Sequence, residues 1–357
     1  MNQRSVVEIA NEIKSNITGN PELDRDYVLT QLVKYKDHPN SDEISRLCAK
    51  LMVQAMPKDG FEDLKNELND KVDVWLFLLQ QVRNDISCGH LEEALAAVEE
   101  LADAADEYMK AGRFKNDSIN KYFCFNNPFE ESLYAISHGS EIAVRNLRIP
   151  FAETYFLYGN LLVEFERYED AKKALEKGMR WNPAYTDIQI EYAECMGRLD
   201  DMEAHKKYMI SALNLSYTPT NIARAFRGLG YYFIEKEQWD AAIVCEYRSL
   251  DFEDHPNARN ELGYINDVTG KRATRPSKGE IEHICKRYGI PKGASDLVLG
   301  AAYGMAKQLE RAGSTEGANY FYGIYYSIAK DDEIKNKLEG RSSELVAKKK
   351  PFWKRGE

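Results

Sequence analysis

The sequence lacks the features that would place the protein in a membrane, secreted or general nucleic-acid-binding class. It has no apolar run long enough to span a bilayer, and its N-terminal segment, which carries Glu8 and Glu12, has no apolar signal core. Its six cysteines stand singly, so we expect reduced thiols rather than a disulfide framework. The formal net charge is −10, whereas a nucleic-acid binder usually has a basic excess. These absences predict a cytoplasmic protein without a nucleic-acid partner.

Sequence motifs of catalysis are missing as well. There is no glycine-rich phosphate loop, no nucleophile elbow and no metalloprotease helix. The close cysteine–histidine pairs are Cys88 with His90 and His283 with Cys285. The second pair lies at i and i+2 of a predicted helix, where side chains diverge, and no further pair stands near the first. We therefore expect no enzyme, no cofactor and no metal site.

The residues that are present indicate helices, most clearly between positions 152 and 185. An apolar stripe with the i, i+3, i+4, i+7 spacing of a helix face occupies the first part of this stretch. A polar turn at residues 167–170 separates it from a second stripe, which ends at Pro183. The stripes consist of Tyr155, Tyr158, Gly159 and Leu162, then Ala171, Leu175 and Gly178. Two helices this short cannot bury their apolar faces alone, so the pattern predicts further helix pairs stacked beside them.

Small residues recur along the chain at the spacing that a helix crossing needs. Gly159 precedes Ala171 by 12 residues, which predicts a close approach of the two helices of a pair. A step of 11 between Ala193 and Ala204 predicts a tightened turn in the next pair. Further steps of 12 join Val82 to Ala94, Gly230 to Ala242, and Ala306 to Ala318. Repetition at this spacing indicates a helical repeat protein.

The stretch at 152–185 resembles a tetratricopeptide repeat (TPR), whose characteristic residues it matches in order. They are Tyr155, Gly159, Ala171, Leu175 and Pro183. Tyr158 and Gly178 depart from the usual leucine and alanine. The layout of the whole chain also looks like that of uncharacterised cytosolic TPR proteins of Gram-positive bacteria. The resemblance implies an all-α, TPR-like right-handed solenoid, and a non-enzymatic scaffold that binds a protein or peptide in a concave groove.

The predicted organisation has three parts. Residues 1–70 contain amphipathic helices without the TPR pattern and are expected to cap the array. Residues 71–340 form the TPR-like array, interrupted by an irregular insert at 112–150 in which a helix is predicted after Pro128. The insert either completes the stack as an irregular pair of helices or serves as a functional lid. Residues 341–357 have no periodicity and predict a basic, disordered tail.

The TPR resemblance also implies which side chains line the concave groove. If the apolar stripe of each first helix packs inside, the neighbouring positions of that helix face the groove. The predicted groove residues are Phe156, Asn160, Glu164, Arg224, Arg227, Tyr231, Asn257, Asn260 and Tyr264. Arginine forks suit carboxylates and asparagines pair with main-chain amides, so we expect a protein or peptide segment that can carry a carboxylate. Alternatively, the two arginines pair with Asp187, Glu191 and Glu194 of the preceding helix.

Two other functions stay open at this stage, together with a role for the tail. The chain could be a Rap-type peptide-responsive regulator, since such proteins also join an N-terminal helical bundle to TPR repeats. It could also be a structural protein that self-associates through its end helices, and the sequence does not give its oligomeric state. In the tail, Lys348–Lys350 are followed by Phe352 and Trp353, a combination that predicts weak contact with an anionic membrane surface.

Overall fold

The computed structural model describes residues 6–36, 38–41, 44, 47–48, 51, 64–111, 114, 116, 120–138 and 143–348. Most of these residues are helical, and two four-residue strands, β1 (Asn120–Phe123) and β2 (Ala143–Asn146), pair in parallel. Numbered among the described residues, the helices are α1 (Val6–Ser15), α2 (Pro21–Lys34), α3 (Leu64–Ser87), α4 (Leu91–Lys110), α5 (Pro128–His138), α6 (Phe151–Glu164), α7 (Tyr168–Trp181), α8 (Thr186–Arg198), α9 (Met202–Leu215), α10 (Pro219–Glu235), α11 (Trp239–Leu250), α12 (Pro256–Thr269), α13 (Lys278–Tyr288), α14 (Asp296–Arg311), α15 (Thr315–Ala329) and α16 (Asp332–Lys348).

The same left-handed turn joins the two helices of five pairs: α3–α4, α6–α7, α8–α9, α10–α11 and α14–α15. One residue of each turn has a φ between 55° and 79°, and the N–H of the next residue donates to a carbonyl oxygen five positions earlier, at 2.8–2.9 Å. This is the Schellman arrangement, which satisfies carbonyl groups at the end of the first helix. The residues with positive φ are Gly89, Glu166, Asp200, Glu237 and Gly313. The turn after α6 thus lies slightly before the predicted position 167–170.

The described chain divides by its internal contacts into two compact units. The first comprises Met1–Asn126 and Gly139–Pro183, and the second comprises Asn127–His138 and Ala184–Glu357. The parts predicted from the sequence, a cap at 1–70 and an array at 71–340, remain predictions.

An aromatic cluster holds α3, α4, α6 and α7 together in the first unit. The ring of Phe151 lies 5.3 Å from that of Trp75, 5.5 Å from that of Tyr108 and 5.0 Å from that of Trp181, measured between centroids. Trp75 Nε1 donates a hydrogen bond of 2.7 Å to the hydroxyl of Thr154, so the indole is buried without leaving its N–H unpaired. Helix α3 therefore packs against α6, the first helix of the pair α6–α7.

The described residues of the insert at 112–150 form one helix and two strands, and not the irregular helix pair that was one of the two alternatives. Only one helix is described in it, α5, which begins at Pro128 as predicted and belongs to the second unit. There Phe129 is fully buried, with its ring 5.7 Å from that of Phe321, and Tyr217 donates to the Glu130 carboxylate at 2.9 Å. The rest of the described insert contributes β1 and β2 to the first unit. Strands of four residues are too short to show the alternation that would predict them.

In the second unit, consecutive helices from α8 to α12 pack on one another. Each of the first helices also contacts the first helix of the next pair, α8 with α10 and α10 with α12. Thr218 caps α10 ahead of Pro219, and Ser277 caps α13 in a capping box with Glu280. Helix–turn–helix pairs that stack in this way define a TPR-like fold, so the predicted all-α, TPR-like class is confirmed.

The step of 12 residues persists in the pair α8–α9, where the sequence predicted a tightened step of 11. His205, not Ala204, occupies the crossing position, and it is buried. One of its ring nitrogens lies 2.7 Å from the carbonyl oxygen of Ala193 and the other 2.8 Å from that of Gly228. The predicted shortening of the turn was therefore wrong, because the polar histidine at the crossing is held by backbone carbonyls where other pairs have a small residue.

The last helix extends into the segment that was predicted to be a tail. It continues to Lys348, whereas the sequence predicted a disordered tail from residue 341. Residues 341–348 contain neither glycine nor proline, so nothing in them interrupts a helix. The rest of the predicted tail, residues 349–357, lies outside the described residues. Among the described helices, none combines the length and apolarity needed to cross a bilayer.

Candidate functional site

A cavity of about 460 Å³ opens in the second unit between α8, α10, α11 and α12. Its volume lies within the range of about 300–1,000 Å³ that is usual for ligand sites. The lining residues are Glu194, Thr220, Arg224, Arg227, Gly228, Tyr231, Glu246, Glu253, His255, Asn257 and Glu261. Four carboxyl groups and two guanidinium groups line the cavity, so its walls carry a surplus of negative charge when all of these groups are ionised. A cavity of this composition suits a polar ligand.

Arg224 is bound to two carboxylates of the preceding first helix. Its Nη2 donates to Glu191 at 2.8 Å and to Glu194 at 3.1 Å. Burial opposes the charge of the guanidinium, but Glu194 and Glu191 outweigh it and raise the pKa of Arg224. Burial and the neighbouring Glu191 raise the pKa of Glu194, and Arg224 partly offsets this rise. The alternative pairing considered from the sequence is thus present at Arg224.

Arg227, one helical turn further along α10, is committed to a different partner. Its Nη1 donates to the Glu253 carboxylate at 2.9 Å and to the Ser249 hydroxyl at 3.2 Å. Glu253 lies just beyond the end of α11, whereas the sequence had suggested partners on α8. Asp187, one of those suggested partners, accepts instead from the side-chain amide of Asn221 at 2.9 Å.

Glu246 differs from the other charged residues of the cavity because it is completely buried and unpaired. Neither of its carboxyl oxygens has a hydrogen-bond partner within the described part of the chain. Burial raises its pKa well above the ordinary value of 4.5; Glu261 adds to the rise and Arg227 opposes it. A buried carboxyl without a partner costs free energy.

Glu246 stands at a position that is apolar in two other helix pairs, α6–α7 and α8–α9. It follows Gly230 by 16 residues, and the same step leads from Gly159 to Leu175 and from Ala193 to Met209, both of which are fully buried. A carboxyl group therefore replaces a core aliphatic side chain at this one crossing of the three. The helix pairing forces the group into the interior, where it borders the cavity.

The remaining groups at the cavity mouth are more exposed. Burial raises the pKa of Glu261, and the neighbouring Glu235 raises it further. The side chain of Tyr231 is 41% exposed, with its ring 5.8 Å from that of His205. His255 caps α12 by accepting at Nδ1 from the backbone N–H of Asn257, at 3.2 Å.

The structure brings four of the nine predicted groove residues into this cavity. They are Arg224, Arg227, Tyr231 and Asn257. Asn260 and Tyr264 are exposed on α12 but do not line it. Phe156 and Asn160 are half-buried and Glu164 is exposed on α6, which belongs to the first unit. The proposal of a site therefore rests on the second unit.

Sequence reasoning missed Glu246, Glu253 and Glu261. Only Glu246 carried a usable signal, since it lies four residues after Ala242, on the stripe where Leu175 follows Ala171. A charged residue on an otherwise apolar stripe indicates either a mispredicted register or a functional group. Glu253 and Glu261 gave no such signal, because acidic residues are common on exposed turns and helix faces. Among the described residues, no group of three histidine, cysteine or acidic side chains is placed to hold a metal ion.

Comparison with known proteins gives distant structural similarity only. No protein-family model matches the sequence, and no curated protein matches it. A solved tetratricopeptide repeat protein from Parabacteroides merdae is 12% identical, covers 88% of this chain and 97% of its own, and has a TM-score of 0.42. A Rap protein, solved in complex with Competence and Sporulation Factor, is 14% identical, covers 94% of this chain and 80% of its own, and has a TM-score of 0.37.

Proposed function

We propose that the protein is a non-enzymatic scaffold that binds a peptide or an extended protein segment, and that the cavity between α8, α10, α11 and α12 is part of its binding groove. The observation that supports this most directly is the grouping of Arg224, Arg227, Tyr231 and Asn257, four residues predicted to face a groove, around one cavity of ligand size. Exposed aromatic and amide side chains at such a cavity suit the backbone and side chains of a peptide.

We propose a ligand chemistry other than the carboxylate expected from the sequence. Both guanidinium groups that would bind a carboxylate already donate to protein carboxylates, Arg224 to Glu191 and Arg227 to Glu253. A ligand carboxylate would have to displace these bonds and would meet the surrounding acidic groups. We therefore place peptide recognition on Tyr231 and Asn257 and on the acidic walls.

The experiment uses the full chain and a library of random heptapeptides displayed on phage. Peptides that are enriched are synthesised, and their affinities are measured by isothermal titration calorimetry. We expect Tyr231→Ala to weaken binding at least about tenfold, because removal of an aromatic anchor commonly costs more than about 1.4 kcal/mol. The control is Tyr320→Ala, which removes an exposed tyrosine from α15, outside the cavity, and should leave the affinity within about twofold.

Two outcomes would contradict the proposal. The first is that selection enriches no peptide above the background of an unrelated protein; the second is that both tyrosine variants bind the enriched peptides like the wild type. The other two functions considered from the sequence, a Rap-type regulator and a self-associating structural protein, remain predictions, as do the cytoplasmic location and the membrane contact of the tail. Light scattering on the full chain would identify self-association.

A further inference from the structure

Glu246 is the unusual group of the cavity and the starting point of this inference, which rests on the proposed function. Its residue is fully buried, it borders the cavity, and its two oxygens have no hydrogen-bond partner among the described residues. Native proteins rarely keep a buried carboxyl group unpaired, and such an exception often marks a functional site.

The surroundings of Glu246 show which ligand group would compensate for its burial. Glu194, Glu253 and Glu261 line the same cavity, while the two arginines are held by Glu191 and Glu194 and by Glu253. The four acidic groups outnumber the two basic ones by two. A cation entering the cavity would meet the carboxyl group of Glu246, which has no hydrogen-bond partner among the described residues, and the acidic groups that line the cavity walls. An anion would meet the same acidic groups and arginines that are already bound.

The helix pairing explains why the carboxyl group is held in place. A side-chain atom added at Gly230 would overlap Oε1 of Glu246, so the glycine provides the space that the carboxyl group occupies. At the equivalent crossing of α6 and α7, the space beside Gly159 is filled by Leu175. The position that Leu175 fills at the crossing of α6 and α7 thus holds a carboxyl group at the crossing of α10 and α11, where the packed helices fix it beside the cavity.

We propose that the cavity binds a basic side chain, arginine or lysine, of the peptide ligand, with Glu246 as its buried counter-ion and Glu253 and Glu261 at the entrance. A guanidinium or ammonium group supplies the donors that the Glu246 oxygens lack. Such a charge-assisted hydrogen bond in a buried site is among the stronger polar contacts in proteins. The aromatic ring of Tyr231 at the mouth can lie along the aliphatic part of the same side chain.

The test uses hexapeptide pools in which one position is fixed and the others are equimolar mixtures. Binding of each pool to the full chain is measured by fluorescence polarisation. We expect pools with arginine or lysine fixed at one position to bind best, and pools with glutamate fixed there to bind worst. In the best peptide, citrulline replaces arginine, since it is nearly isosteric but neutral. We expect this replacement to weaken binding at least tenfold.

Glu246→Gln supplies the protein side of the test. The variant is nearly isosteric and removes a buried ionisable group, so it should fold, which circular dichroism verifies. We expect it to lose the preference for a basic residue over citrulline while still binding the neutral peptide. The matched control, Glu316→Gln, removes an exposed carboxyl group on α15 and should keep the preference. A preference that persists in Glu246→Gln would overturn the inference.

The outcomes separate this inference from the proposed function. Peptide binding without any basic preference, or with a preference for acidic residues, would overturn the role of Glu246 and leave the peptide-binding scaffold standing. Failure of every pool to bind the wild type would overturn the proposed function, and the inference with it. Binding that depends on both the basic residue and Glu246 would support both.

Discussion

Gly230 lies so close to the carboxyl group of Glu246 that a methyl group at the glycine would overlap Oε1. The corresponding residues of the pair α6–α7 are Gly159 and Leu175. They are equally close, since a Cβ added at Gly159 would lie only 2.5 Å from Leu175 Cγ. The two crossings share one backbone arrangement, but one is apolar and the other contains an acid. This difference makes the stability of the second crossing depend on pH.

Replacement of Glu246 by glutamine should stabilise the protein near neutral pH. The pKa of Glu246 in the folded protein lies well above its ordinary value of 4.5, so the folded state binds this proton more tightly than the unfolded chain does. Its contribution to stability is fully present below a pH of about 4.5 and is lost as the pH rises through the folded-state pKa. Glutamine does not ionise, so the midpoint of thermal unfolding of Glu246→Gln should exceed that of the wild type near pH 7.

The pH dependence of this difference provides the check. The gap between Glu246→Gln and the wild type should narrow as the pH falls toward about 4.5, because the wild-type carboxyl group is then protonated in both states. Arg227, Glu194, Glu253 and Glu261 also line the cavity and are present in both proteins, so the comparison isolates Glu246 to a first approximation. A gap of the same size at every pH would show that the carboxyl group is not held at a raised pKa.

Removal of the Arg224 side chain should destabilise the protein strongly. Its main partner, Glu191, is only 7% exposed, and the loss of the guanidinium would leave this carboxylate buried without its counter-ion. We expect Arg224→Ala to lower the free energy of unfolding by about 3 kcal/mol in urea titrations. Arg259→Ala, which breaks an exposed pair with Asp254, should cost no more than about 1 kcal/mol.

A second substitution tests the reason given for this loss. Adding Glu191→Gln to Arg224→Ala removes the stranded charge and should recover about 1 kcal/mol or more. Equal stability of the single and double variants would mean that the buried charge is not what destabilises Arg224→Ala. Alanine substitution at Arg224 is consequently a poor probe of ligand binding, and for that reason the binding experiments use Tyr231.

We expect one of the six cysteine thiols to react quickly with a thiol reagent and the other five to react slowly. Cys88 is exposed in the turn between α3 and α4, whereas the other five cysteines are buried and all six are free. Burial also raises the pKa of Cys48 to about 11 and that of Cys124 to about 12, which suppresses the reactive thiolate. Ellman's reagent should therefore titrate one thiol per native chain rapidly and six per denatured chain. Cys88→Ser should abolish the fast phase, and rapid reaction of that variant would contradict the burial of the others.

A glycine at the turn between α10 and α11 should stabilise the protein. Glu237 adopts a φ of 55°, a conformation in which its Cβ crowds the neighbouring carbonyl oxygen. Glycine removes this strain, but it also raises the conformational entropy of the unfolded chain, which opposes folding. We expect a net stabilisation of about 0.5 kcal/mol for Glu237→Gly. Urea titration provides the measurement, and Glu235→Gly, at the last residue of α10, should instead destabilise the protein by up to about 1 kcal/mol. If both changes destabilise equally, the left-handed turn is not a source of strain.

The sequence predicted the helix pairs well because their signal is local and repeated. Gly159, Ala171 and Leu175 lie within 16 residues of one another, so their spacing alone defines two helices and their crossing. The spacing of 12 residues between crossing residues did not identify His205 as the crossing residue of α9. A polar residue is not recognised as part of the core until its backbone carbonyl partners are known. The pairing of β1 with β2 joins segments 23 residues apart and could not be predicted from residues that are neighbours in sequence.

The site was less predictable than the fold. Arg224 lines the cavity, but its partners depend on how α8 and α10 pack, which no pattern within α10 reveals. Arg227 illustrates the same limit, because its carboxylate partner Glu253 comes from the turn after α11. Glu246 was the reverse case, since its position on the apolar stripe was visible in the sequence while its lack of a hydrogen-bond partner required coordinates.

The left-handed turns have a consequence for how this chain can change in length. In the five pairs that have this turn, the first helix ends through backbone hydrogen bonds of the turn itself, so its end needs no contribution from a neighbouring pair. Glu166, Asp200 and Glu237 follow one another at intervals of 34 and 37 residues. Each interval contains the second helix of one pair and the first helix of the next. Duplication or deletion of a gene segment of that size would add or remove two helices. The spacing of the crossing residues in the remaining pairs would stay the same.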